Sequence, residues 1–189
     1  MNTVLEAIST RRSVRAYKQQ AVSRDSLMTI LEAANQAPSG MNTQPWRFVV
    51  VEDKGFKKKL VATAVPNSKR YLEPLRDVNP SRHALIMKRY EELEDPVYYS
   101  APVIIFIVGV GAYASDSCPL ACENLMLAAH SLGLASCWVK LGSLILDDAE
   151  IVQALELKEG ETIFGPILIG YPEGLPKAPL KKDPVIKWI

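Results

Sequence analysis

The sequence predicts one α+β domain, a central sheet flanked by helices. Three observations carry this. Apolar residues recur at helical spacing in several segments, compact β-branched runs lie between those segments, and no repeat or linker divides the 189 residues. A hydrophobic share of 48% suits a single domain, 1–189, with a real core.

Val4, Leu5 and Ile8 predict a short helix over 3–9. Leu27, Ile30, Leu31 and Ala34 fall on one helical face, and Ser23 is placed as the N-cap, which predicts a helix over 24–36. The run Phe48-Val49-Val50-Val51 predicts a strand over 46–52, followed by helices over 54–64 and 80–94. Val103 to Val108 is rich in β-branched residues and predicts a strand over 102–110. A long helix over 117–132 is apolar on more than one face through Leu120, Leu125, Met126, Leu127, Ala128 and Ala129. Such a helix is buried, either in its own core or against another subunit. Gly133 fits the C′ position that ends it. A strand over 135–139, a helix over 147–156 and a strand over 162–170 complete the set. From Pro172 onward the chain is too rich in proline for a helix or central strand and is expected to lie over a surface as an extended arm, 172–189.

Two segments carry the chemistry. In Pro38-Ser39-Gly40-Met41-Asn42-Thr43-Gln44-Pro45-Trp46, Pro38 ends the preceding helix and Gly40 permits unusual backbone angles. Asn42 and Gln44 offer donors and acceptors that suit the polar edge of a planar ring. The same loop also reads as an ordinary helix-to-strand connector. In Arg11-Arg12-Ser13-Val14-Arg15, three guanidinium groups and a hydroxyl within five residues make a natural phosphate clamp; a solvated basic turn is the alternative.

Together the two segments resemble the nitroreductase family of flavoproteins, whose Arg-Arg-Ser-x-Arg turn and Pro-Ser-x-x-Asn-x-Gln-Pro-Trp loop hold FMN. The resemblance continues through Ser100 to Phe106, Glu123 to Leu134, Ser136 to Val139 and the strand that ends Gly170-Tyr171-Pro172. It is loosest between Pro66 and Asp95. It implies a nitroreductase-like fold with a mixed, mainly antiparallel sheet. It also implies an intertwined homodimer with two FMN sites at the interface, the 38–46 loop reaching the partner's flavin. By the same resemblance Arg11, Arg12, Ser13 and Arg15 meet the phosphate and ribityl end, and Pro38, Ser39, Asn42 and Gln44 lie near the ring. The backbone of Trp138, Val139 and Lys140 lies near the reactive N5, and a C-terminal cation reaches the phosphate. Lys177 is the nearest match for that cation; the second basic position is Pro179, so Lys181 or Lys182 stands in for it.

Two further features depart from the family or match it loosely. Lys140 replaces a common Gly; its ammonium either lies by the isoalloxazine, favouring anionic reduced flavin, or points to water. Asn67, Lys69 and Arg70 lie where relatives touch the pyrimidine edge. The 66–95 segment is the variable, lid-like part, with Tyr71, Arg76, Arg82, Arg89 and Tyr90 as candidate acceptor contacts. The pattern Lys88-Arg89-Tyr90-Glu91-Glu92 also reads as a charged surface helix.

The activity implied by the resemblance is a ping-pong oxidoreductase. Hydride from NADH or NADPH would pass through flavin N5 to an electron-poor acceptor: a nitroaromatic, quinone, activated alkene or flavin. Because the cofactor carries the chemistry, no catalytic dyad is required. Alternatives are a flavin-storage protein without turnover, or a relative that dehalogenates or fragments flavin.

Composition excludes several other classes. The balance of 22 basic and 21 acidic residues, net charge +1, does not suit a nucleic acid as partner. No apolar stretch approaches membrane-spanning length, and the N-terminus, with Glu6 in a helix pattern, is unlike a signal peptide, so a cytoplasmic location is expected. Cys118, Cys122 and Cys137 form no disulfide framework or metal motif and are expected as buried, neutral thiols. His83 and His130 lack triad partners at readable spacing.

Overall fold

The computed structural model describes residues 2–189. Four strands, β1 (Trp46–Val51), β2 (Val103–Gly109), β3 (Ala135–Trp138) and β4 (Thr162–Gly170), form one sheet in the order β1-β2-β4-β3. All three ladders are antiparallel. The expected parallel component is confined to a single bridge between Ser13 and Ser136.

The central strand β2 is buried on both faces, and its side chains alternate between two cores. Ile104, Phe106 and Val108 face the cluster that contains Leu60, Ala64 and Ile151. Val103, Ile105 and Ile107 face the cluster that contains Ile30, Ala121, Cys122 and Leu125. This two-sided burial explains why the strand reads as a continuous apolar run rather than an alternating one.

The helices are α1 (Thr3–Thr10), α2 (Arg24–Asn35), α3 (Lys54–Leu72), α4 (Leu75–Val78), α5 (Pro80–Glu92), α6 (Ala114–Ser131) and α7 (Ala149–Ala154). Side-chain caps set several starts: Ser23 accepts from Ser26 N–H, Asp53 from Phe56 N–H, and Asp148 from the N–H groups of Glu150 and Ile151. α6 ends in a Schellman turn, with Leu134 N–H on Ala129 O at 2.9 Å and Gly133 N–H on His130 O at 3.0 Å.

Two helices are longer than the sequence suggests: α3 runs through the proline expected to lie beyond its end, and α6 starts ahead of the expected residue 117. α3 continues past Pro66 to Leu72, and α6 begins at Ala114 and includes Pro119. The carbonyls that these prolines cannot serve, on Ala62 and Ser115, belong to exposed residues, so water can take the missing donor's place. α7 is shorter than the expected 147–156. Asp148 caps its start, and Glu156 leaves the helix at a φ of 51°.

A bidentate ion pair ties β1 to the turn before β4. Arg47 Nε donates to Glu161 Oε1 at 2.9 Å and Arg47 Nη2 to Oε2 at 2.7 Å, while Lys158 N–H reaches Oε2 at 2.9 Å. These donors hold the Glu161 carboxyl at about 2, far below its usual range.

All three cysteines are free and buried. Burial pushes the Cys118 thiol up to about 11 and Cys122 up to about 12, so both stay neutral. Among the described residues no helix is long and apolar enough to cross a membrane, and no cluster of His, Cys, Asp and Glu could hold a metal.

Candidate active site

The segment after α1 is stitched along two strands. Val14 N–H donates to Ser136 O at 3.1 Å on β3, Lys18 N–H to Tyr171 O at 2.9 Å, and Glu173 N–H to Ala16 O at 3.0 Å. Val14 and Tyr17 are buried, and the Tyr17 hydroxyl donates to Val14 O at 2.7 Å. These anchors leave the intervening polar side chains outside the core and fix where each guanidinium can reach.

Arg11 and Arg12 line a cavity of about 130 Å³, closed by the Schellman turn of α6 and by Ser136, Pro172 and Leu175. Two buried polar atoms of its lining residues, Arg11 Nε and Ser136 Oγ, have no hydrogen-bond partner. Glu123 Oε1 stands 3.5 Å from Arg11 Nε, outside hydrogen-bond geometry. Arg12 Nη1 donates to Ser9 O and Arg11 O, which leaves further N–H groups of its fork without an acceptor among the described residues. Buried polar groups are nearly always satisfied, so two orphans on one small cavity mark a place for an external acceptor. His130 sits beside it, with Nε2 at 2.7 Å from Thr10 Oγ1.

Buried Val14 lines the same cavity, whereas Ser13 and Arg15 of the Arg-rich turn do not join it. Ser13 is exposed, and Arg15 lies over the Tyr99 ring at 5.9 Å from its centroid, with Arg89 at 5.7 Å. Tyr99 and Ser100 both hold positive φ, 53° and 51°, uncommon for residues with a Cβ.

The 38–46 loop is built differently from expectation. Gly40 does not take the unusual backbone angles; Met41, Asn42 and Gln44 do, at φ of 52°, 55° and 45°. Glycine is needed at position 40 because the Tyr113 ring lies against it: a Cβ would stand 2.5 Å from Tyr113 Cδ1. Ser39 Oγ accepts from Gln44 N–H at 2.9 Å and closes the turn. Asn42 and Gln44 are exposed and bonded to each other, Gln44 Nε2 lying 3.3 Å from Asn42 Oδ1. Neither they nor Pro38 and Ser39 line the arginine cavity. Three residues of one loop in a sparsely populated conformation, Met41, Asn42 and Gln44, store strain, as ligand-clamping loops do.

Trp138 is half-buried and Val139 buried. Val139 N–H is already committed to Pro166 O at 3.0 Å, so it is not a donor for a ligand. Lys140 opens a 3₁₀ turn, Lys140–Ser143, and its side chain is exposed. Lys177, Lys181 and Lys182 are exposed; within one chain the arm gives the cavity Pro172 and Leu175, not a cation.

In the 66–95 segment, Tyr90 is buried and unavailable to an acceptor, because it packs in the core beneath α5. The rest of its pattern is a surface, with Lys88 and Glu92 paired at 3.5 Å. Asn67 Nδ2 donates to Leu144 O and Asp147 Oδ1, which ties α3 to the turn before α7; Arg70 and Tyr71 remain exposed beside it.

Residues 8–171 match the model of the nitroreductase family. The chain belongs to the nitroreductase family. A protein of Archaeoglobus fulgidus with the provisional name NADH dehydrogenase/NAD(P)H nitroreductase is 30% identical over 173 residues, 92% of this chain and 87% of that protein. An iodotyrosine deiodinase of Thermotoga neapolitana is 32% identical over 138 residues, 72% of this chain and 73% of that protein. The crystal structure of a nitroreductase with bound FMN from Desulfitobacterium hafniense superposes with a TM-score of 0.82 at 29% identity, covering 100% of this chain and 99% of that one. The nitroreductase motifs in the sequence therefore lead to the right fold. They do not reveal Ser136, whose signal was a lone hydroxyl in the otherwise apolar run of β3.

Proposed function

We propose that this chain is an FMN-dependent NAD(P)H oxidoreductase. The observation that carries the reading is the pair of buried donors without a hydrogen-bond acceptor, Arg11 Nε and Ser136 Oγ, on residues that line one cavity with Arg12. At about 130 Å³ the cavity is too small for a whole flavin mononucleotide and of the right order for its phosphate end. Phosphate accepts several N–H and O–H bonds at once, which matches a fork of guanidinium donors beside a hydroxyl.

FMN, when bound, supplies a hydride acceptor for NADH or NADPH and a hydride donor for an electron-poor acceptor such as a nitroaromatic, a quinone, an activated alkene or a flavin, in a ping-pong sequence. The protein's part is to hold and orient. Arg11, Arg12 and Ser136 fix the phosphate, with Ser13 and Arg15 at the flank. Trp138 and Lys140 border the ring, and the exposed Lys140 ammonium provides positive charge there. Lys177 or Lys181 closes the phosphate from the arm.

The complete site is built from two copies of the chain. Helix α1 buries none of its residues, leaving Val4 61% exposed, and the arm leaves Trp188 88% exposed along with Leu180, Val185 and Ile189. Apolar surface of this extent on two elements marks an interface. The strained 38–46 loop, with exposed Asn42 and Gln44, then serves the partner's ring.

The test is the visible spectrum of protein supplemented with FMN and freed of unbound flavin, followed by anaerobic NADH or NADPH. Retained flavin bands that bleach with either nucleotide are expected. Retained bands that never bleach support flavin storage, and no retained flavin sinks the proposal. Reductive dehalogenation is the second reading, motivated by the Thermotoga neapolitana relative; iodide release from 3-iodotyrosine by reduced protein distinguishes it.

A further inference from the structure

A second cavity, of about 420 Å³, opens between the start of α3 and the segment that enters β2. It shares no residue with the arginine cavity, and none of the residues assigned above to FMN lines it. Its size lies within the ordinary range for small-molecule sites. Its wall is apolar, with Tyr98 and Ile104 buried and Val61 half-buried, and it carries the cations of Lys54, Lys57 and Lys58. Lys54, Lys57, Lys58 and Val61 recur at helical spacing, so α3 presents them on one side.

Lys57 is the built part of the site. Its half-buried ammonium donates to Pro102 O at 2.6 Å and Ala101 O at 3.1 Å. An ammonium has three donors, and the third meets no protein acceptor among the described residues. Burial also lowers its pKa, as expected of a cation that lacks a full counter-charge. Of the acids lining the cavity, Asp95 is already occupied: Oδ1 accepts from Val97 and Tyr98 N–H, and Oδ2 from Ser100 N–H. Exposed Glu94 is the other acid in the lining, while Glu52 and Asp53 lie outside it and partly offset the charge of Lys57.

Tyr98 links this cavity to the turn after β3. It lines the cavity although only 1% exposed, and its hydroxyl donates to Gly142 O at 2.8 Å. The contact is tight, since a Cβ on Gly142 would stand 2.7 Å from Tyr98 Cε1. A body seated against the Tyr98 segment therefore presses on the 140–143 turn.

We propose that this cavity binds an amphipathic organic anion, a carboxylate on an aromatic or short aliphatic body, and transmits its occupancy to the 140–143 turn through Tyr98. The binding half stands on the cavity alone, whereas transmission to a flavin rests on the FMN reading above.

The experiment is a calorimetric titration of the full-length, FMN-supplemented protein with 2-naphthoate, with visible circular dichroism of the flavin recorded along the same titration. One site per chain is expected, with the flavin signal changing in step. The exposed pair Lys54→Met/Lys58→Met and, separately, Val61→Phe, which fills the cavity, should each weaken binding at least about tenfold, on the scale of 1.4 kcal/mol per decade. Tyr98→Phe should keep the heat of binding and lose the flavin response. Absence of binding overturns the proposal, as does binding that neither the lysine pair nor Val61→Phe weakens, which would put naphthoate elsewhere. Binding that leaves the wild-type flavin signal flat overturns the transmission. If the protein retains no FMN, the calorimetric comparison still decides the site, and that failure counts against the cofactor reading alone.

Discussion

Replacing Ser136 by Ala removes one oxygen from the wall of the arginine cavity and nothing else. Ser136 is 2% exposed, and its Oγ has no hydrogen-bond partner. A buried, unsatisfied hydroxyl costs the fold about 1–3 kcal/mol, so Ser136→Ala should stabilise the FMN-free chain, by about 1 kcal/mol if part of that cost is relieved by relaxation. For a domain of this size the melting temperature then rises by roughly 2–4 °C. The same hydroxyl is expected to bond a charged phosphate oxygen, an interaction of about 1.5–3 kcal/mol, so FMN should bind roughly 10- to 100-fold more weakly. The assay pairs thermal melts of FMN-free wild type and variant with FMN titrations followed by flavin fluorescence quenching. A variant that is less stable without FMN and binds FMN as tightly as wild type refutes the reasoning, because the hydroxyl would then serve the fold and not the ligand.

Four other outcomes are expected. The depressed Glu161 carboxyl adds stability that is fully present above its usual value of 4.5 and is lost as pH falls toward about 2. Glu161→Gln should flatten the acid-unfolding profile in that window by on the order of 1 kcal/mol, Arg47 being one-third exposed, which chemical denaturation at pH 5, 4 and 3 reads directly. Gly142→Ala would drive a Cβ against buried Tyr98 and Pro166, at 2.7 and 2.9 Å, and should lower the urea-unfolding free energy by about 1–3 kcal/mol. Truncation after Tyr171 removes the apolar arm and should shift the protein toward monomer by sedimentation while releasing FMN; an unchanged dimer would rule out the arm as part of the interface. Lys140→Met should make the flavin midpoint potential more negative, and an unchanged potential would show that the ammonium stays in water.

The α+β class, the order of nearly every element and the family were legible in the sequence. Helical spacing of Leu27, Ile30 and Ala34, the apolar run of β2 and the two motifs are local signals, and local signals survive in one dimension. The continuation of α3 past Pro66 was not legible, because whether a proline breaks a helix depends on whether the abandoned carbonyl meets water. Gly40 shows the same limit. The sequence marked it for backbone freedom, but its necessity comes from Tyr113, distant in the chain, packing on its Cα. Tyr90 looked available for an acceptor until the packing of α5 buried it.

The site divides along the same line. Residue types alone made Arg11 and Arg12 candidates for a phosphate, since a guanidinium fork has that chemistry wherever it lies. Only the tertiary structure separated them from Ser13 and Arg15, by pinning Val14 to Ser136 so that successive side chains leave in different directions. The fold also brought Ser136 to the arginines across more than a hundred residues of chain and left its hydroxyl without a partner. The sequence determines which chemistry each side chain can perform, and the packing of strands and helices decides which of those groups face the same small volume.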